Sequence, residues 1–345
     1  MRYKILGKTH LEVSELAFGA LQFAKIKEEN AIALVRSAHA AGINLIDTAH
    51  AYPNSEELLG KALKGIRENV YIITKAIERD KAGFLDDLHE SLRRLNTSYI
   101  DIFLFHGISK DSQFEEIRKA GIIDALIGEK RKGTVRHIGF SCHNPGAIDR
   151  FYEIDDFSVI MVPLNFITLE YVEKPILDKF KKNNIGILAM KPFGGGRLQD
   201  IRLCFKFLRQ YPEIIPVAGI QTIDELNSNL IYVSESDVLK EEDKVKINRI
   251  KEELGDKFCR SCGYCMPCDI GIEITDINFI NVYYKQFPED DFWNMGLDEK
   301  VELARQCNQC GACVEKCPFE LDVPGIIRSN IEFYDSLKKD KNNKI

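Results

Sequence analysis

No apolar run in this 345-residue chain reaches the roughly 18 residues needed to cross a bilayer. The opening stretch, MRYKILGKTH, lacks the apolar core of a signal peptide, so the expected compartment is the cytoplasm, with no membrane partner. An excess of one charge is missing too. With 53 acidic and 47 basic residues and only short basic stretches, the chain offers no footprint for nucleic acid. The composition, 45% hydrophobic and 29% charged, excludes a disordered tail or a fibre. The first strand-like run, AFGALQFAK, has no G-x-G-x-x-G turn, which speaks against a doubly wound dinucleotide-binding sheet. Cysteine is scarce over most of the length. Only Cys142 and Cys204 precede residue 259, so a secreted disulfide framework is excluded.

What is present alternates. Eight short apolar runs punctuate the first 235 residues: 16–20, 44–49, 70–75, 100–106, 135–141, 159–165, 186–192 and 214–220. Each is rich in Ile, Val, Phe or Leu on both faces, as buried parallel strands are. Helical patterns lie between them. Ala31, Leu34, Val35 and Ala38 share one face, and Gly42 ends that helix. Asn54, Asn144 before Pro145, and the pair Thr222 and Glu225 mark helix starts, the last as a capping box. Eight strand–helix units predict an α/β fold, a (β/α)8 TIM barrel over 1–235. The preceding YKILGKTHLEVSEL reads as a hairpin that plugs the barrel floor. A helical connector is expected over 236–256, and a small, mainly α-helical domain over 257–335. A frayed polar tail is expected over 336–345. The aromatic segment 279–293 is expected to anchor the small domain on the barrel.

Eight of the ten cysteines fall between Cys259 and Cys317. CRSCGYCMPC places Cys259, Cys262, Cys265 and Cys268 three apart. CNQCGACVEKCP places Cys307, Cys310, Cys313 and Cys317 before a proline. The second run has the spacing of bacterial ferredoxins, in which the fourth cysteine of a run serves the other cluster. That likeness assigns Cys259, Cys262, Cys265 and Cys317 to one [4Fe-4S] cluster, and Cys307, Cys310, Cys313 and Cys268 to a second. Two structural zinc sites are the alternative, although zinc ribbons separate their cysteine pairs by longer loops.

Chemistry in such a barrel sits at the C-terminal strand ends. There the second run ends in Asp47-Thr48-Ala49 with Tyr52 close behind, the third in Lys75 and the fourth in His106. A polar group closing an apolar run is costly unless it is paired or useful. The motifs NLIDTAHAYPNSEELLGKAL, VYIITKA, IDIFLFHG, RHIGFS and GILAMKPFGGG resemble the aldo-keto reductase family over roughly 1–235. The whole chain is similar to the branch with a C-terminal two-cluster ferredoxin-like domain. The resemblance implies a reversible reduction of a carbonyl compound by a nicotinamide cofactor. Tyr52 would then act as general acid, Lys75 as the cation that lowers its pKa, Asp47 as the partner of Lys75, and His106 as the group orienting the carbonyl.

The implied cofactor contacts are Ser141, Asn165, Met190, Gly194, Gly195, Gly196 and Asn229. Several depart from the family pattern. Cys142 stands where an Asn is usual, Met161 where a Gln is usual, and Met190 where an aromatic ring usually stacks. Glu225 occupies a position that is basic in NADPH-binding members, which favours NADH over NADPH. His143 either lines the pocket or caps a helix, and Arg197 either meets a phosphate or is solvated. The expected partners are a small carbonyl or alcohol substrate and a ferredoxin or other redox protein. The clusters would pass electrons to or from the site or that partner. Three other readings remain: a nicotinamide reductase with purely structural clusters, an electron carrier whose barrel no longer reduces carbonyls and, last, an acid/base lyase that uses Tyr52 and Lys75 without any hydride.

Overall fold

The computed structural model describes residues 1–108, 111–143, 145–173, 176–255, 258–259, 265–317 and 320–343. Cys262 and Asn144 lie outside them. Among the described residues no helix is long and apolar enough to cross a membrane. The chain divides into two compact units, Met1–Leu239 and Lys240–Ile345.

The first unit is a closed parallel barrel. Its strands are preceded by an antiparallel hairpin of β1 (Tyr3–Ile5) and β2 (Glu12–Ser14). The barrel strands follow: β3 (Ala17–Gly19), β4 (Leu45–Asp47), β5 (Tyr71–Ala76), β6 (Ile100–Phe105), β7 (Val135–Ser141), β8 (Phe157–Pro163), β9 (Gly186–Met190) and β10 (Ile214–Gly219). They pair in chain order, and β10 closes on β3. Each matches one apolar run of the sequence, and β6 and β8 are buried along their whole length.

Side chains alternate along these strands. Leu45, Ile73, Ile102, Leu104, Val159, Leu188 and Ile215 fill the interior in one cluster with Leu6 and Val13 of the hairpin. The hairpin therefore seals the barrel floor, as its apolar residues predicted. Its turn at Gly7 (φ 51°) lies so close to β9 that a Cβ would collide with the backbone of Gly186. Outside, the helix Glu28–Ala40 buries Ala31, Leu34, Val35 and Ala38 on the expected face, and Gly42 follows at φ 94°.

The second unit is helical: Glu241–Gly255, Ile274–Gln286, Glu289–Trp293, Leu297–Arg305, Ala312–Glu315 and Val323–Asn343. Ile277, Ile280, Phe292, Val301, Leu321, Ile327 and Tyr334 form its core. Arg305 pairs with Asp335 at 2.6 and 3.1 Å, tying Leu297–Arg305 to Val323–Asn343. The aromatic segment belongs to this core. Phe292 meets Tyr284 at 5.3 Å and Trp293 at 5.1 Å, and Trp293 meets Tyr334 at 5.4 Å between ring centroids. Phe292 and Trp293 thus pack within the unit's own core. The stretch 336–343, expected to fray, continues the last helix, where Lys341 lies 4.5 Å over the Trp293 ring.

Candidate active site

The alternation that fills the barrel also aims its polar residues. On β5, Ile72 and Thr74 face outward to the helices, while Ile73 and Lys75 face the interior. The ladder continues past the strand ends: Thr48 donates to Ile73 at 2.8 Å, His50 to Lys75 at 2.9 Å and His106 to Ala76 at 2.9 Å. Asp47, Lys75 and His106 therefore end neighbouring strands at one level. The Lys75 ammonium, 1% exposed, donates to Asp47 Oδ1 at 2.5 Å and to the Thr48 carbonyl at 2.6 Å. It also lies 5.2 Å from the Tyr52 ring centre. The Tyr52 and His106 rings meet edge to face, 5.9 Å apart. The structure thus brings all four residues together.

Their electrostatics differ from the simplest expectation in one respect. Burial pushes the Tyr52 phenol above its ordinary pKa, and the Lys75 cation only partly offsets this. Tyr52 is therefore protonated at rest. Burial works against the charge on Lys75, but Asp47 and Tyr52 more than compensate, so its pKa is raised and it stays cationic. His106 is pushed down to about 3, first by burial and then by Lys75 and Arg79, so it is a neutral imidazole. Its buried Nδ1 has no hydrogen-bond partner among the described residues.

Tyr52 rides on a loop held from outside the barrel. Ser55 bonds Thr48 at 2.8 Å and the Ala20 carbonyl at 2.9 Å. Asn54 begins the helix Ser55–Ala62 in the left-handed region (φ 55°) and makes no side-chain cap bond. Glu56, only 1% exposed, accepts from Thr74 at 2.6 Å and faces His50 and Arg94, each at 3.8 Å. His50 in turn lies 3.2 Å from Asp87. The sequence marks this stretch only as the helix start at Asn54, and Glu56 carries no signal of its own there. Its burial could not be read there, because Thr74, His50 and Arg94 come from separate segments.

The expected cofactor contacts are unequal. Asn165 is tied into the framework: its Oδ1 accepts from Ile167 and Thr168, each at 2.9 Å, and its Nδ2 donates one proton to the Lys191 carbonyl at 3.0 Å. Ser141 accepts from the Gly107 amide at 2.8 Å and keeps its hydroxyl proton to donate. Met190 ends β9, and Gly194, Gly195 and Gly196 all adopt positive φ in the turn beyond it. Arg197, half-buried, follows them. Asn229 is buried on the helix Ile223–Ser234. Thr222 caps the helix as predicted, its Oγ1 accepting from Glu225 N at 3.1 Å, while the return bond falls one residue early, Glu225 Oε2 accepting from Gln221 N at 2.6 Å. His143 lies just past β7, where the fields of Lys191 and His106 reach it after burial has lowered its pKa. Cys142 and Met161 are buried.

In the second unit a cleft of about 410 Å³, its open mouth included, is lined by Cys265, Cys268, Cys307, Cys310 and Cys313. Burial raises the pKa of the Cys313 thiol, and Cys307, Cys310 and Cys268 raise it further. A thiol whose neighbours oppose its ionisation fits a site that a cationic iron–sulfur core would neutralise. Cys259 is also buried, and Cys317 is half-buried.

Residues 15–203 match the model of the aldo/keto reductase family, and 258–322 match that of the 4Fe-4S dicluster domain. L-galactose dehydrogenase of Arabidopsis thaliana is 31% identical over 218 residues, covering 57% of this chain and 67% of that protein. Aldo-keto reductase YhdN of Bacillus subtilis is 30% identical over 207 residues, covering 54% and 61%. The holo form of a Bacillus halodurans aldo-keto reductase superposes with a TM-score of 0.64 at 24% identity, over 72% of this chain and 96% of that one. With its tetrad-bearing barrel and its cysteine-lined second unit, the chain belongs to the aldo/keto reductase family and carries a C-terminal 4Fe-4S dicluster domain.

Proposed function

We propose that the barrel reversibly reduces a small carbonyl compound with a nicotinamide cofactor, NADH in preference to NADPH. The observation that carries this is the buried Lys75, held charged by Asp47 beside Tyr52 and His106 at the strand ends. When bound, the nicotinamide supplies the hydride. Ser141 would donate to its carboxamide, Met190 would pack on its ring, and the turn at Gly194–Gly196 leaves its backbone open to a pyrophosphate. Asn165 would add a contact through the Nδ2 proton that its bond to Lys191 leaves over.

Tyr52 delivers its proton to the carbonyl oxygen. Burial keeps that proton on the phenol until it is needed, and Lys75 stabilises the phenolate as it forms. His106, neutral, donates one N–H to the same oxygen and fixes its direction. Alcohol oxidation runs the steps in reverse.

Two carboxylates, Asp224 and Glu225, occupy the first turn of Ile223–Ser234, and Glu225 is bonded to the Gln221 amide. A 2′-phosphate would meet like charge there. Titration of the anaerobically purified protein should show NADH binding more tightly than NADPH, and Glu225→Arg should narrow or reverse the difference. Tight NADPH binding that is indifferent to residue 225 would remove the preference, and no binding of either would remove the reductase reading.

The same proposal places two [4Fe-4S] clusters in the second unit, held by the two sets of four cysteines named above. They would exchange single electrons with the barrel site or with a ferredoxin-like partner. Reoxidation of dithionite-reduced clusters by added carbonyl substrate would support this. Clusters that stay reduced would favour a purely structural role.

A further inference from the structure

Arg79 lies just past β5 on the active-site rim and has no part in the scheme above. Its Nη2 donates to the His106 carbonyl at 2.6 Å and its Nη1 to the Glu78 carbonyl at 3.4 Å. The first bond folds the side chain back over the rim beside His106. Glu116 and Glu78 act on it through space, yet no carboxylate among the described residues forms an ion pair with it. Arg carries five N–H donors and no acceptor, and two carbonyls use only part of that set. Holding such a charge partly out of water without a counter-charge is costly. Asp47, the carboxylate of the tetrad, is committed to Lys75. Lys191, immediately after β9, adds a second cation on the same rim, close enough for its field to reach His143.

A planar fork of donors beside the residue that orients the carbonyl matches an oxyanion. We propose that Arg79 binds a carboxylate or phosphate carried on the same small molecule as the reacting carbonyl, so that the substrates are oxo acids or phosphorylated carbonyl compounds. This rests on the carbonyl-reducing reading and narrows it. Arg79 touches the anionic end of the substrate while Tyr52 and His106 meet the other end, so it sets specificity without moving a proton.

The test uses binding, so that it stands whether or not turnover is seen. Butanoate, butyl phosphate and butanamide are titrated calorimetrically into the anaerobically purified full-length protein and into Arg79→Ala, Arg79→Gln and Arg79→Lys. At least one anion should bind about 10- to 100-fold more tightly than the amide, as a charged hydrogen-bond pair allows. The preference should disappear in Arg79→Ala and Arg79→Gln and return in part in Arg79→Lys. Which anion wins separates the carboxylate from the phosphate class. Wild-type protein that does not distinguish the anions from the amide would overturn the proposal. So would Arg79→Gln keeping the full preference. If no carbonyl compound is reduced by NADH, the reductase reading fails by itself and the anion preference is still measured.

Discussion

The two units solve the problem of a functional interior in opposite ways. Within the barrel's tetrad the charges are already matched: Lys75 has Asp47 and the Thr48 carbonyl, and the surrounding strands are packed. In the second unit the functional groups are like one another and have no built-in counter-charge among the described residues lining the cleft. Several thiols line one cleft, and the neighbours of Cys313 resist its ionisation. The first site is organised by the protein alone, whereas the second becomes favourable when a cationic core takes up the thiolates. The barrel should therefore be indifferent to iron, and the small unit should depend on it.

Removing the iron with a chelator under anaerobic conditions gives the largest expected effect. The second unit should lose its cooperative melting transition while that of the barrel stays in place. Calorimetry of the loaded and stripped protein reads this, and an unchanged pair of transitions would break the contrast. Within the barrel, Lys75→Met leaves Asp47 as a buried, unpaired charge and should cost about 3–5 kcal/mol of stability by denaturant melts. The iron content should not change, because Lys75 belongs to the first unit.

The smallest effect concerns Glu56. Burial raises its pKa above the ordinary value. A carboxyl raised in the folded state binds more protons folded than unfolded. Its contribution to stability therefore falls as pH rises through its ordinary pKa, until the raised folded value is passed. Glu56→Gln should flatten that decline and keep an acceptor for Thr74. Melts across the acidic range would read it, and a decline as steep as wild type would assign it to other groups.

Much of this was legible in the sequence. All eight barrel strands appear there because a strand covered on both faces is an unbroken apolar run, and the tetrad shows as the polar residue that ends such a run. The hairpin and the Thr222 cap follow from local pattern in the same way. What escaped depends on distant segments. Arg79 follows Ile77 and Glu78 in an unremarkable polar stretch, and only the fold brings the His106 carbonyl to it. The net effect on Tyr52 was equally invisible. The sequence names Lys75 as the neighbour that lowers its pKa, whereas the degree of burial, which decides the sign, belongs to the packed barrel.

The central claim is that Tyr52 supplies the proton for carbonyl reduction in a barrel whose tetrad charges are set in advance. The most direct measurement is anaerobic NADH oxidation by a panel of aldehydes and oxo acids, comparing wild type with Tyr52→Phe. The account predicts alcohol formation matched one to one with NADH consumed. It also predicts a loss of about 10²- to 10⁴-fold in kcat for Tyr52→Phe, with iron content and NADH binding retained. Equal turnover by the two proteins would contradict it.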